Sequence, residues 1–133
     1  MEKIFPATDE ALQDVNLFVE GNLEEAGCSM KNMMKIMVAL EELFVNVAHY
    51  AYEDGDGKVS VSFDLDGDNM ILTLKDSGKP FDPLAKADPD ISLSAEERQI
   101  GGLGIYMVKK SMDDVQYEYK DGCNIVTITH NIR

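Results

Sequence analysis

Apolar residues recur along the first quarter of the chain at Leu12, Val15, Val19 and Leu23, the spacing of one helix face. Acids open that stretch and Gly27 follows it, the punctuation of an amphipathic helix. Ser29 is placed to cap a second helix, "MKNMMKIMVALEELFVNVAHYAYE". In it Met33, Met37, Leu40, Phe44, Val47 and Ala51 form one continuous stripe, which reads as core. The period then changes. Val59, Val61, Phe63 and Leu65 alternate strictly, "DGDN" turns the chain, and "MILTLKD" returns, so Lys58 to Asp76 reads as an antiparallel hairpin. A long segment with three of the four prolines and no sustained periodicity follows. Helical spacing resumes from Leu103 to Met112, and two alternating strands joined at Asp121 and Gly122 close the chain. With the short apolar start at Ile4 and Phe5, the order is strand, helix, helix, hairpin, loop, helix, hairpin. This predicts an α+β fold, a largely antiparallel sheet with helices segregated on one face.

The 133 residues suit one domain spanning 1–133. The 25 acidic against 12 basic residues, a formal charge of -13, argue against nucleic acid, whose phosphates require clustered Lys and Arg. An anionic small ligand could bind such a chain only with a metal counter-ion and oriented backbone amides. Cys28 and Cys123 lack metal or redox spacing and read as reduced thiols. There is no basic-then-apolar leader and no apolar run long enough for a bilayer, so the expectation is a soluble, cytoplasmic protein without a membrane partner.

Three clusters carry candidate chemistry. Glu42 and Asn46 stand one helical turn apart on one face, with His49 one turn further, roughly opposite the Met and Phe stripe. They read either as a solvated face or as a carboxylate and an amide aimed at one target; Val38 and Val45 border the same face. "KDSGKPFDP", Asp76 to Pro83, follows an apolar strand. It reads as a turn, or as an acceptor for a ligand amino group beside a glycine that admits a flat ring. "QIGGLG" before a helix either punctuates or presents unpaired amides and the positive end of a dipole to a phosphate. It matches neither the dinucleotide fingerprint nor the P-loop.

Taken in order, "EELFVNVAHYAY", "DSGKPFDP" and "GGLGIYMVKKSMDDVQYEY" resemble the three boxes of the GHKL ATP-binding fold of gyrase, Hsp90, histidine kinases and MutL. The small size, "HYAY", "PFDP" and "EERQIGGLGI" narrow the resemblance to the RsbW and SpoIIAB anti-sigma serine kinases. The resemblance implies a two-layer α/β sandwich (the Bergerat fold) with a mostly antiparallel mixed sheet. It implies ATP and Mg2+ as cofactors, with Asn46 as the metal ligand and Glu42 as the acid that orients or deprotonates the attacking hydroxyl. Asp76 would accept from the adenine amino group, Gly78 would give the ring room, and Phe81 would line the same pocket. Gly101, Gly102, Leu103 and Gly104 would meet the phosphates, and a lid at about 84–104 would close over them. Arg98 would either meet the terminal phosphate or pair with Glu96 and Glu97. His49 would be part of a helix-end motif, not a phosphoacceptor. The implied partners are a sigma factor, a STAS-domain antagonist phosphorylated on Ser or Thr, and a second copy in a homodimer. An ATP-gated binding module without transfer activity is the alternative.

Overall fold

The computed structural model describes residues 1–52, 57–84 and 102–133. Strand β1 (Glu2–Pro6) leads through a short 3-10 turn at Asp9–Ala11 into α1 (Leu12–Glu25) and α2 (Met30–Tyr50). The hairpin β2 (Lys58–Asp66) and β3 (Asn69–Asp76) follows, then α3 (Gly102–Ser111) and the hairpin β4 (Asp114–Lys120) and β5 (Cys123–Asn131). This is the element order that the hydrophobic pattern predicts.

Local chemistry explains where the helices stop and start. After α1 the chain turns through Gly27 at φ 76, a left-handed conformation that suits glycine. The Cys28 N–H donates to the Leu23 carbonyl (3.0 Å) and the Gly27 N–H to that of Glu24 (3.0 Å), a Schellman closure. Arg133 adds its guanidinium to the carbonyls of Ala26 (3.0 Å) and Gly27 (3.1 Å). Ser29 then caps α2 as expected, its Oγ accepting from the Asn32 N–H at 3.3 Å.

The five strands form one sheet in the order β1-β2-β3-β5-β4. Every pairing is antiparallel, so the parallel admixture expected of a mixed sheet is absent among the described residues. Alternate residues point inward: Val59, Val61 and Phe63 from β2, Met70, Leu72 and Leu74 from β3, Val126 and Ile128 from β5. Against them pack Val15, Val19 and Leu23 of α1, Ile36, Leu40 and Phe44 of α2, and Ile105 and Val108 of α3. Each large side chain so buried contributes roughly 1.5–3 kcal/mol.

Two local readings are corrected. The buried stripe of α2 is broader than the four-and-three series, because Ile36, Ala39 and Leu43 are buried while Met37 and Val47 are only partly so. A central helix laid on a sheet buries a wider arc than one meeting a single neighbouring helix. Leu65 continues the strand alternation yet is 48% exposed. The pairing of β1 reaches only Ser62, so Leu65 has a neighbouring strand on one side alone.

Candidate functional site

Asp76 is the last residue of β3 and continues its inward phase, so the fold places a carboxylate where Met70, Leu72 and Leu74 place apolar groups. Only 5% of it is exposed. Its Oδ1 accepts from the Gly78 N–H (2.9 Å) and from Asn124 Nδ2 (3.0 Å), whereas Oδ2 has no partner among the described residues. A buried carboxylate with one oxygen held and the other uncommitted is an acceptor ready for a ligand donor.

Asn124 was not anticipated from the sequence. It lies directly across from Asp76 in the β3–β5 register and is 4% exposed. Its Nδ2 donates to Asp76 and to the Lys79 carbonyl (2.9 Å), while its Oδ1 accepts from the Phe81 N–H (3.0 Å) and the Tyr117 hydroxyl (2.5 Å). One amide therefore ties β3, β4 and the loop after β3 together. The phase of "CNIVTITH" carried the signal: Asn124 and His130 are the polar members of an inward set otherwise filled by Val126 and Ile128. Desolvation by burial pushes the Tyr117 phenol above its ordinary pKa, against the opposing contact with the Phe81 backbone and with help from the charges of Asp82 and Asp76. It thus stays a donor at neutral pH. His130 is structural, accepting from the Asp113 N–H at Nδ1 (3.2 Å) and facing Asn32 Oδ1 from Nε2 (3.0 Å).

Gly78 is needed for close packing. A Cβ there would stand 2.2 Å from the Ala51 carbonyl oxygen, and the neighbouring Lys79 N–H donates to that same oxygen at 2.9 Å. Tyr52 holds the adjoining residue, its hydroxyl accepting from the Ser77 N–H (2.8 Å) and donating to the Lys58 carbonyl (2.7 Å). The loop after β3 is thereby fastened to the end of α2.

Asn46, Asp76 and Phe81 line one cavity with Leu43, Val47, Leu74, Pro83 and Asn124. Its volume is about 20 Å³, room for a water molecule and not for a base. Phe81 stacks on Tyr50 at 5.8 Å between ring centroids and an interplanar angle of 23°, at the C-terminal end of α2. The half-buried Asn46 amide and the half-buried Glu42 carboxylate have no polar partner among the described residues. Glu42 sits one turn before Asn46 on α2 and does not line the cavity. His49 pairs with both carboxylate oxygens of Asp9 (2.9 and 3.0 Å), consistent with a structural role.

Gly102, Leu103 and Gly104 form the first turn of α3 instead of preceding it. Backbone N–H groups in a first turn lack intrahelical acceptors. Arg98, Gly101 and the expected lid from 85 to 101 lie outside the described residues. Among the described residues no cluster of three or more His, Cys, Asp or Glu could hold a metal by itself, and no helix is long and apolar enough to cross a membrane.

This fold, with a carboxylate at the end of a central strand lining one cavity with an amide of the long helix, leads to a class. The chain belongs to the histidine kinase-like ATPase domain family, whose model matches residues 5–130. It is 27% identical over 130 residues to the serine-protein kinase RsbW of Bacillus cereus (strain AH187), covering 95% of this chain and 81% of that protein. It is 28% identical over 126 residues to RsbW of Listeria monocytogenes, covering 91% of this chain and 80% of that one. Among solved structures, that of the RsbU and RsbW domains of Rv1364c from Mycobacterium tuberculosis superposes with a TM-score of 0.70 at 19% identity, over 99% of this chain and 31% of that one. The Acinetobacter baumannii histidine kinase AdeS gives a TM-score of 0.53 at 16% identity, over 100% of this chain and 68% of that one. The last two likenesses concern the fold. The RsbW resemblance of the sequence boxes thus agrees with whole-chain relatives.

Proposed function

We propose that the chain is an ATP-dependent protein serine/threonine kinase that sequesters a sigma factor and phosphorylates a small STAS-type antagonist. The observation that carries this reading is Asp76, with Oδ1 held by Gly78 and Asn124 and Oδ2 left uncommitted beside the unpartnered Asn46 amide. Such an oxygen suits the exocyclic amino group of adenine. Phe81 and Pro83 line a cavity too small for a base, so binding one would require that lining to move, the Tyr50–Phe81 stack with it.

Asn46 and Glu42 are hard oxygen donors one turn apart, a set compatible with Mg2+ carried by a triphosphate. Bound there, ATP with its metal would supply a transferable phosphoryl group whose charge is neutralised. Asn46 would hold the metal and Glu42 would take the proton of the attacking hydroxyl. The hydroxyl oxygen then forms the new bond to phosphorus as the bond to the ADP oxygen breaks. The first-turn amides of α3, at Gly102, Leu103 and Gly104, together with Gly101, would meet the phosphates under a lid spanning about 84–104, with Arg98 the nearest fixed cation in that segment.

Labelled ATP and a STAS-domain protein from the same cell provide the test. Label should move to serine or threonine; Glu42→Ala should abolish transfer while nucleotide still binds, and Asn46→Ala or Asp76→Asn should weaken binding itself. Binding without transfer to any antagonist would leave an ATP-gated binding module. Absence of binding sensitive to Asn46 and Asp76 would refute the nucleotide site.

A further inference from the structure

The face of the sheet turned away from the helices carries an open groove of about 280 Å³ between β1, β2, β3 and the start of β5. Ile4, Ser60 and Lys75 stand opposite one another across β1, β2 and β3, and Lys58 precedes Ser60 by two residues on the same face. Lys58 and Lys75 are therefore diagonal neighbours on adjacent strands, about 7–8 Å apart and within reach of one another's long side chains. At the end of the groove the Tyr52 hydroxyl joins the Lys58 carbonyl to the Ser77 N–H. Ser77 Oγ in turn lies 3.7 Å from Cys123 Sγ.

Two ammonium groups so placed repel each other. In a chain with 25 acidic residues, neither has an ion-pair partner among the described residues. Glu2, at the rim, is engaged instead by the Ser62 hydroxyl, which donates to it at 3.2 Å. The Asp76 carboxylate belongs to the opposite face of the sheet. Ser60 is an independent sign: its Oγ is shut off from water and has no hydrogen-bond partner among the described residues. A buried hydroxyl of this kind calls for an explanation. One anion in the groove would answer both features, accepting from two ammonium groups and from the hydroxyls of Ser60 and Ser77. Several donors converging beside two cations suit an oxyanion with more than one charged oxygen. We propose that this groove binds a phosphate group, held by Lys58 and Lys75 with Ser60 and Ser77 as hydroxyl donors. It lies on the other side of the sheet from the cavity lined by Asn46 and Asp76, so the argument is independent of the nucleotide site. The chain's charge of -13 opposes any anion, so binding should be weak and should fall further with added salt.

The test follows the backbone amides of the full chain by proton–nitrogen NMR, at constant ionic strength and without nucleotide. Chloride is exchanged for inorganic phosphate, for a short phosphoserine peptide or, as the reference anion, for acetate. Phosphate or the peptide should produce saturable shifts at Ser60, Lys75, Ser77 and Cys123 that acetate does not. Whichever of the two binds more tightly identifies the source of the group as a free ion or a phosphorylated protein. Lys58→Gln and, separately, Lys75→Gln should each raise the dissociation constant by more than about fivefold, through loss of a charged donor. Ser60→Ala should raise it by about threefold, through loss of a neutral one. Both lysines are exposed, and unchanged circular dichroism and thermal unfolding of their variants would confirm folding. No shifts in the groove, equal shifts with acetate, or binding indifferent to both lysine substitutions would each overturn the proposal. Phosphate-induced shifts confined to Gly102, Leu103 and Gly104 would overturn it too, while supporting the nucleotide site.

Discussion

Replacing Asn124 by Asp changes one donor into one acceptor at nearly constant shape. Asn124 Nδ2 stands 3.0 Å from Asp76 Oδ1 and 2.9 Å from the Lys79 carbonyl. In Asn124→Asp a second carboxyl oxygen takes its place, and two carboxyls so close in a buried site cannot both ionise. One must hold a proton, which then restores the hydrogen bond between them. Keeping a carboxyl of ordinary pKa, about 3.9, protonated at about pH 7 takes some three units at 1.36 kcal/mol each, or about 4 kcal/mol. The sign follows from linkage. The folded variant binds more protons than its unfolded chain between the ordinary carboxyl pKa and the raised one, so its stability falls as pH rises through that window. Urea unfolding of both proteins should therefore show a deficit of about 4 kcal/mol at about pH 7 that shrinks by about 2.7 kcal/mol at about pH 5. Asn124→Leu serves as the control, since it adds no titrating group; its deficit should change far less between the two pH values. A deficit for Asn124→Asp that is the same at both pH values would refute the shared-oxygen geometry on which the site is built.

Gly78→Ala should destabilise the fold by about 1–3 kcal/mol in thermal or urea unfolding, because the added Cβ would lie 2.2 Å from a backbone oxygen that cannot move without shifting the end of α2. Gly27→Ala should cost about 1–2 kcal/mol by the same measurement, from the left-handed φ of 76. The pKa of Tyr117 is raised by burial, so its contribution is complete below the unfolded value of about 10 and should be lost as pH rises through the folded value. Tyr117→Phe should reduce the alkaline loss of stability followed by circular dichroism. Burial also raises the Cys28 pKa, with Arg133 opposing, so in a Cys123→Ser background its thiol should react with a disulfide reagent more slowly at mildly alkaline pH than a model thiol does.

The element order was legible because hydrophobic period and turn chemistry act locally. Gly27 and Ser29 mark the boundary of α1 and α2, and Asp121 and Gly122, at φ 54 and 77, supply the primed turn of the last hairpin. The candidate residues were legible in part for the same reason: Glu42 and Asn46 share a face by helix geometry alone. Leu65 was misread because alternation records the direction in which a side chain points and not whether anything covers it.

The sequence by itself determined which residues could serve as acceptor, amide and glycine turn, since those properties belong to single side chains and short segments. Only the tertiary structure decided how they are used. The strand register that sets Asn124 opposite Asp76 spans 48 residues, and it is this long-range pairing that commits one carboxylate oxygen and leaves the other free. Likewise, the sequence left Gly78 as either a turn or space for a ring, and only the fold sets the end of α2 against its Cα. Met30 and Met34 differ from the buried Met33 only in phase, and the sheet settled which arc of α2 faces inward. Non-local packing chose among roles that local chemistry had left open.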